Sequence, residues 1–128
     1  MKRALVGLAL AAAACSEQGP ISGALAIVIT TPRASDRAVM FTVTGPQTGV
    51  TAAPGSGYLV FAAAGGGDTT RIVVVAPAGH GIAAGDGARI AVADPRRVGA
   101  YAVRLSDVAA ASYADADTAG VSLTVVKP

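Results

Sequence analysis

The sequence of 128 residues predicts an all-β fold, an antiparallel β-sandwich of about eight strands. Two observations indicate this fold. From residue 22 onward, apolar and polar residues alternate in short runs rich in Val, Ile and Thr, which is the period of a strand with one buried face. Turn-forming clusters separate these runs, and 16 Gly and 7 Pro leave little room for helices of ordinary length.

The first four predicted strands cover residues 23–31, 38–44, 47–53 and 57–63. In the first two, Val, Ile, Leu or Phe occupies alternate positions, and a proline-marked turn follows each strand. The third is weaker because it has fewer large apolar residues. In the fourth, either Leu59 and Phe61 or Tyr58 and Val60 face inward, since alternation alone does not distinguish the two faces.

The last four predicted strands cover residues 70–76, 88–93, 99–108 and 120–126. The first of these is apolar on both faces, which favours an interior position in a sheet. The next places Ile90 and Val92 on one face, and residues 85–87 predict a turn before it. The final two keep the same alternation. A short helix from Ser106 to Ala114 is an alternative, because a Ser side chain can cap a first turn.

Residues 1–14 predict an export signal. Lys2 and Arg3 precede an apolar run that is too short to span a bilayer and is typical of a signal peptide. Small residues lead directly into Cys15, and this junction resembles the lipobox of a bacterial lipoprotein signal peptide, with Ala12 where that family usually carries Leu. The resemblance implies cleavage before Cys15 and its lipidation with acyl chains such as palmitate. The alternative is an ordinary signal peptide cut at the same bond, which leaves a free thiol.

The sequence thus divides into a signal peptide (1–14), a lipidated tether (15–21) and a β-sandwich domain (22–128). Two or more acyl chains anchor a protein stably to a bilayer without a spanning helix. We therefore expect a lipid-anchored protein of the cell envelope, at the outer membrane or cell surface, that contacts the membrane through the lipid on Cys15. Ser16 favours outer-membrane sorting, since resembling lipoproteins retained at the inner membrane usually carry Asp there.

The charge balance argues against nucleic-acid binding, and the cysteine content excludes an internal disulfide. The chain has 10 basic residues (Lys and Arg) against 8 acidic residues, but Lys2 and Arg3 belong to the predicted signal, so the exported part is formally neutral. A neutral domain lacks the basic footprint of a nucleic-acid-binding protein, and we expect no nucleic-acid partner. Cys15 is the only cysteine, so no disulfide can form within the chain and the fold must depend on packing.

Several apolar runs follow one another in an order that carries a family resemblance: residues 38–43, 50–52, 58–61, 70–76, 85–92 and 101–108. This succession resembles that of cohesin-like domains. In that family, a jelly-roll sandwich of about nine strands, related to carbohydrate-binding modules, docks a protein partner on one sheet face or serves as a structural module. The resemblance implies an immunoglobulin-like or cohesin-like sandwich with a possible protein partner on a sheet face.

Candidate ligand-binding residues are few. Asp115, Asp117 and Gly120 copy the spacing of a calcium loop at two carboxylates and the glycine, but the third oxygen position holds Ala119. The two carboxylates are weak metal candidates, and we expect no other metal site and no cofactor. His80 is the only histidine and no serine lies in a nucleophile elbow, so no catalytic residue is predicted.

The sequence therefore predicts a membrane-anchored envelope lipoprotein whose non-enzymatic β-sandwich acts as a binding or structural module. The alternative is a soluble periplasmic or surface module that binds calcium or a carbohydrate. Carbohydrate modules stack sugars on exposed aromatic rings. This chain has no Trp and 3 Tyr, of which Tyr58 and Tyr101 lie in core-patterned strands. Tyr113 is the one remaining ring, a small platform for a sugar.

Overall fold

The computed structural model describes residues 22–128, which form eight strands and one short 3-10 turn. The elements are β1 (Gly23–Thr30), β2 (Ala38–Thr44), β3 (Gly49–Ala52), β4 (Leu59–Ala64), β5 (Thr69–Val75), β6 (Gly85–Val92), the 3-10 turn (Pro95–Ala100), β7 (Ala102–Ala109) and β8 (Ser122–Val126). The predicted signal peptide, the tether and the lipidation candidate Cys15 lie outside the described residues.

The eight strands form two four-stranded antiparallel sheets. Sheet I has the order β3-β6-β1-β8, and sheet II has the order β4-β5-β2-β7. The predicted all-β sandwich is confirmed, and all eight predicted strands have a counterpart. β5 lies between β4 and β2, so the interior position expected for its doubly apolar pattern is also confirmed.

The core lies between the sheets because every second side chain of the central strands points into that space. In β2, Val39, Phe41 and Val43 are fully buried while Met40 faces outward. β1, β5 and β6 contribute matching aliphatic side chains from the facing layers. The buried cluster comprises Leu25, Ile27, Ile29, Val39, Phe41, Val43, Ile72, Val74, Ala76, Ile82, Ala88, Ile90 and Val92.

β6 begins three residues earlier than predicted, so the expected turn at residues 85–87 is wrong. Gly87 lies within the strand, where a Cβ atom would fall 2.2 Å from Cδ1 of Ile29. The register of β1 against β6 shifts between Ile27 and Val28, next to this contact. A glycine inside a strand often marks such a close approach rather than a turn, and here it makes room for a core side chain.

The alternative helix from Ser106 to Ala114 does not form. β7 continues to Ala109, pairs with β2 along its length and buries Val108 between the sheets. This tertiary pairing outweighs the intrinsic helix preference of the local alanines. Within residues 22–128, no helical segment has the length and hydropathy required to cross a membrane.

A buried carboxylate organises the loop between β1 and β2. Asp36 is 1 % exposed and accepts hydrogen bonds from the Thr31 hydroxyl and from Nε of Arg33, the latter at 2.9 Å. Arg33 also donates to the carbonyl of Asp117, and Ile82 N donates to the carbonyl of Asp36 at 2.7 Å. Burial by itself raises the pKa of Asp36, but the hydrogen bonds and the Arg33 charge outweigh it and lower that pKa below its usual value. Three loops are thereby joined at one end of the sandwich.

Candidate functional site

The carboxylates of the predicted calcium loop lie in the connection between β7 and β8. The backbone of Asp115 forms an isolated bridge with Ala109, and Oδ1 of Asp117 accepts a hydrogen bond from Ala119 N at 2.9 Å. The guanidinium of Arg33 contacts the Asp117 carbonyl, which places a positive charge beside the loop. Within the described part of the chain, no three His, Cys, Asp or Glu side chains are placed to hold a metal ion.

The outer face of sheet II exposes large apolar side chains. Leu59 is 58 % exposed, Phe61 is 59 % and Met40 is 40 %. The strand register places Phe61 beside Val73 and Val73 beside Met40, in one row across β4, β5 and β2; Leu59 lies beside Val75 in the next row. We call these five residues the apolar face. Large contiguous apolar patches on a soluble domain are typical of interaction sites, so this face is a candidate for one.

β4 is an edge strand of sheet II, and its outer edge pairs with no other strand among residues 22–128. Gly65 N donates to Thr69 O at 2.8 Å, and antiparallel ladders alternate between hydrogen-bonded and non-hydrogen-bonded pairs. This alternation directs the backbone groups of the even-numbered residues, from Val60 to Ala64, toward the free edge. The strand carries neither charge nor proline, the usual devices that prevent edge pairing.

A second surface feature, which we call the loop recess, lies at the end of the sandwich where β1 finishes. It is an open cavity of about 430 Å³ between the β1–β2, β5–β6 and β7–β8 connections. Its lining residues are Ala34, Ser35, Arg37, Gly79, His80, Gly81 and Ala111. Gly81 allows two of these loops to touch, because a Cβ atom there would fall 1.8 Å from the carbonyl oxygen of Ala34.

Arg37 provides the positive charge of the loop recess. Its backbone is fixed on both sides, because Arg37 N donates to Ala109 O at 2.7 Å and Arg37 O accepts from Ala76 N at 2.8 Å. The carbon at the centre of the guanidinium lies 5.2 Å from the centroid of the Tyr113 ring, within cation–π range. Nε of Arg37 is buried and has no hydrogen-bond partner among the described residues.

Tyr113 adopts an unusual backbone conformation for its residue type. Tyr113 N donates to Ala110 O and Ala110 N donates to Ala114 O, both at 2.8 Å, which closes a three-residue loop after β7. The third residue of such a loop takes a left-handed conformation and is usually glycine. Tyr113 occupies that place with a φ of 64°, and it is the one non-glycine residue with positive φ in the described chain.

The tyrosines contact the core or solvent as expected, but Tyr58 and Tyr101 each lie one residue before β4 and β7 rather than within the predicted strands. Tyr58 and Tyr101 pack against the core cluster, whereas Tyr113 is 61 % exposed. His80 is an exposed loop residue, as predicted, and no hydrogen bond joins it to Ser35 across the recess in the part of the chain that the structure describes. Sequence reasoning missed Arg37, because no local signal shows that Tyr113, distant in sequence, lies over it.

The fold and these surfaces define an antiparallel β-sandwich with an exposed apolar face, a free strand edge and a cationic recess among its loops. In comparisons with known proteins, no family model, no curated protein and no solved structure matches this chain.

Proposed function

We propose that this chain is a non-enzymatic envelope lipoprotein, held at the membrane by acyl chains on Cys15, whose β-sandwich binds protein through sheet II. The protein that we propose as its partner is a second copy of the same chain. The observation that carries the proposal is the free, uncharged edge of β4, a strand that also exposes the side chains of Leu59 and Phe61. Edge strands without protective charges are templates for pairing with another chain.

The proposed pair joins the two β4 strands antiparallel around a two-fold axis perpendicular to sheet II. The even-numbered backbone groups at each free edge then exchange hydrogen bonds, so the odd-numbered residues form the closer, non-hydrogen-bonded pairs. With the axis at Phe61, this ring lies opposite Phe61 of the second copy, and Leu59 lies opposite Ala63. Cross-strand aromatic pairs stabilise such a ladder, and the two apolar faces become continuous.

Self-pairing suits this strand because the six residues of β4 are all uncharged and none is proline. A two-fold axis brings identical strands together, and like charges directly opposite each other are destabilising. Arg71, the nearest charge on the outer face, lies one strand away, beside Ala63. The β4 strand is therefore compatible with a second copy of itself, without electrostatic cost across the junction.

The proposed lipid anchor would favour this pairing by concentrating the protein at one membrane surface. A single strand pair buries less surface than the roughly 800 Å² per partner of a standard stable interface, so the pair is expected to be weak in dilute solution. Confinement of the anchored copies to one membrane surface raises their local concentration above that in free solution. The tether of residues 15–21 reaches no more than about 25 Å, so both sandwiches lie close to one membrane surface.

Disulfide cross-linking in membranes tests the proposal. Phe61→Cys places two thiols in register at the two-fold axis, and the exposed position makes the substitution tolerable for the fold. We expect membranes that contain this variant to show a dimer band on a non-reducing gel, lost on reduction. The matched control is Thr51→Cys, an exposed position on β3, an edge strand of sheet I. Equal cross-linking of the two variants would contradict the proposed pair.

A further inference from the structure

The loop recess lies apart from the β4 edge and carries a separate inference. The recess is formed by rigidly connected loops: the buried carboxylate of Asp36 fixes the β1–β2 loop, and Ile82 N ties the β5–β6 connection to it at 2.7 Å. The volume of about 430 Å³ falls within the range of small-molecule sites. A preformed recess of this size is suited to one small ligand.

Arg37 lines this recess and has no acidic partner among the described residues. The ion pairs of residues 22–128 are Arg33–Asp36, Arg89–Asp86 and Arg96–Asp94, so none of them neutralises Arg37. None of the side-chain hydrogen bonds found in this part of the chain involves its guanidinium, and Nε is shielded from solvent. An anion in the recess supplies the Arg37 guanidinium with the acceptor that the described chain does not, and such charge-assisted hydrogen bonds are stronger than neutral ones.

The ring of Tyr113 holds this guanidinium at the cost of backbone strain. The left-handed region is sterically unfavourable for a residue with a Cβ atom, whereas glycine adopts it readily. Strained residues persist where a function requires the side chain. Here the side chain supplies the aromatic face 5.2 Å from the guanidinium carbon, which restricts the rotation of Arg37 at the recess.

We propose that the loop recess binds a small molecule through an oxyanion, a carboxylate or a phosphate, held by the Arg37 guanidinium. A planar guanidinium offers two parallel N–H donors to either group. Ser35 adds a hydroxyl donor to the lining, His80 adds an imidazole, and Gly79 and Gly81 leave room for the ligand. The exposed Tyr113 ring is not among the lining residues, but it lies against the Arg37 guanidinium and offers an aromatic surface beside the bound anion.

Nuclear magnetic resonance of the full chain, purified in detergent, tests this site with inorganic phosphate and with acetate as separate probes. We expect saturable shifts of the Arg37 Nε–H resonance and of the amides of Ser35, Gly79 and Gly81, with chloride at equal ionic strength giving none. Saturation by phosphate alone or by acetate alone identifies the preferred oxyanion. Shifts that do not saturate with either probe, or that chloride reproduces, overturn the proposal.

Two variants separate recognition from folding. Arg37→Gln should weaken binding of the saturating probe at least about tenfold, as expected for loss of a charged bidentate donor, while the matched Arg97→Gln, on the 3-10 turn, leaves it unchanged. Tyr113→Gly removes the ring and the strained φ, so we expect weaker binding with a melting temperature equal to or above that of the parent chain. Unchanged binding in Arg37→Gln overturns the proposal. A lowered melting temperature with unchanged binding in Tyr113→Gly would show that the ring has a structural role, which contradicts its proposed part in binding.

Discussion

Single residues at the loop end of the sandwich decide how the loops are placed. Asp36 is the clearest case, because a carboxylate with 1 % exposure survives burial only by accepting hydrogen bonds, here from Thr31 and Arg33. Its backbone carbonyl also accepts from Ile82 N. One residue thus joins the β1–β2 loop to the β5–β6 connection, and Arg33 extends the link to Asp117 in the β7–β8 connection.

Replacing Asp36 tests this arrangement through its pH dependence. The folded-state pKa of Asp36 is lowered from its ordinary value of 3.8, so its contribution is fully present above 3.8 and is lost as pH falls through the lowered pKa. We expect Asp36→Asn to reduce the free energy of unfolding by about 2 kcal/mol at neutral pH, the scale of a charged hydrogen-bonded group. The difference from the parent chain should shrink under acid.

Urea unfolding at neutral and acid pH measures this difference, and Asp68→Asn is the control because Asp68 is exposed in the turn between β4 and β5. The control is expected to match the parent chain at both pH values. If Asp36→Asn were as stable as the control at neutral pH, the carboxylate would not organise the loops as described.

At the scale of the strands, apolar/polar alternation predicts which face is buried in some strands but not in others. The central strands could be predicted because their large side chains occupy one face, as in β2 with Val39 and Phe41 buried and Met40 exposed. The orientation of β4 could not, since Tyr58, Leu59, Val60 and Phe61 are all apolar. The structure turns Tyr58 and Val60 toward the core and leaves Leu59 and Phe61 exposed, because they lie on the outer face of an antiparallel sheet, which can remain open to solvent.

The first residue of β6 was predicted wrongly for a different reason. Residues 85–87 have the composition of a turn. In the structure, Gly87 lies opposite the end of the Ile29 side chain, and the volume of that side chain leaves no room for a Cβ atom at residue 87. Local composition carries no information about a side chain from another strand. The same holds for the loop recess, which brings together Arg37 and Tyr113 from separate connections.

A double-mutant cycle between β1 and β6 tests this contact. Gly87→Ala places a methyl group 2.2 Å from Cδ1 of Ile29, and we expect it to cost about 1–3 kcal/mol through overpacking. Ile29→Val removes that terminal carbon. The double variant should therefore be more stable than the sum of the two single effects predicts, by at least about 0.5 kcal/mol. Simple additivity, measured by urea unfolding, would show that the two side chains do not compete for this space.

At the scale of the whole molecule, the two surfaces have separate tasks. The β4 edge and the apolar face are proposed to join two copies, and the loop recess is proposed to take an oxyanion. The sequence predicted the two-layer architecture because its short alternating runs give strands with one apolar face, and such faces are buried by packing one sheet against another. It predicted a sheet-face partner only through a family resemblance, and the residues of that face became visible once the strands were paired.

The proposed membrane anchoring depends directly on the covalent state of Cys15, which intact-mass measurement of the chain extracted from the membrane fraction reports in one spectrum. We predict the mass of the chain starting at Cys15, increased by a thioether-linked diacylglyceryl group and an amide-linked acyl chain. Recovery of the unprocessed chain starting at Met1, or of a cleaved chain with a free thiol at Cys15, would contradict the lipid anchor.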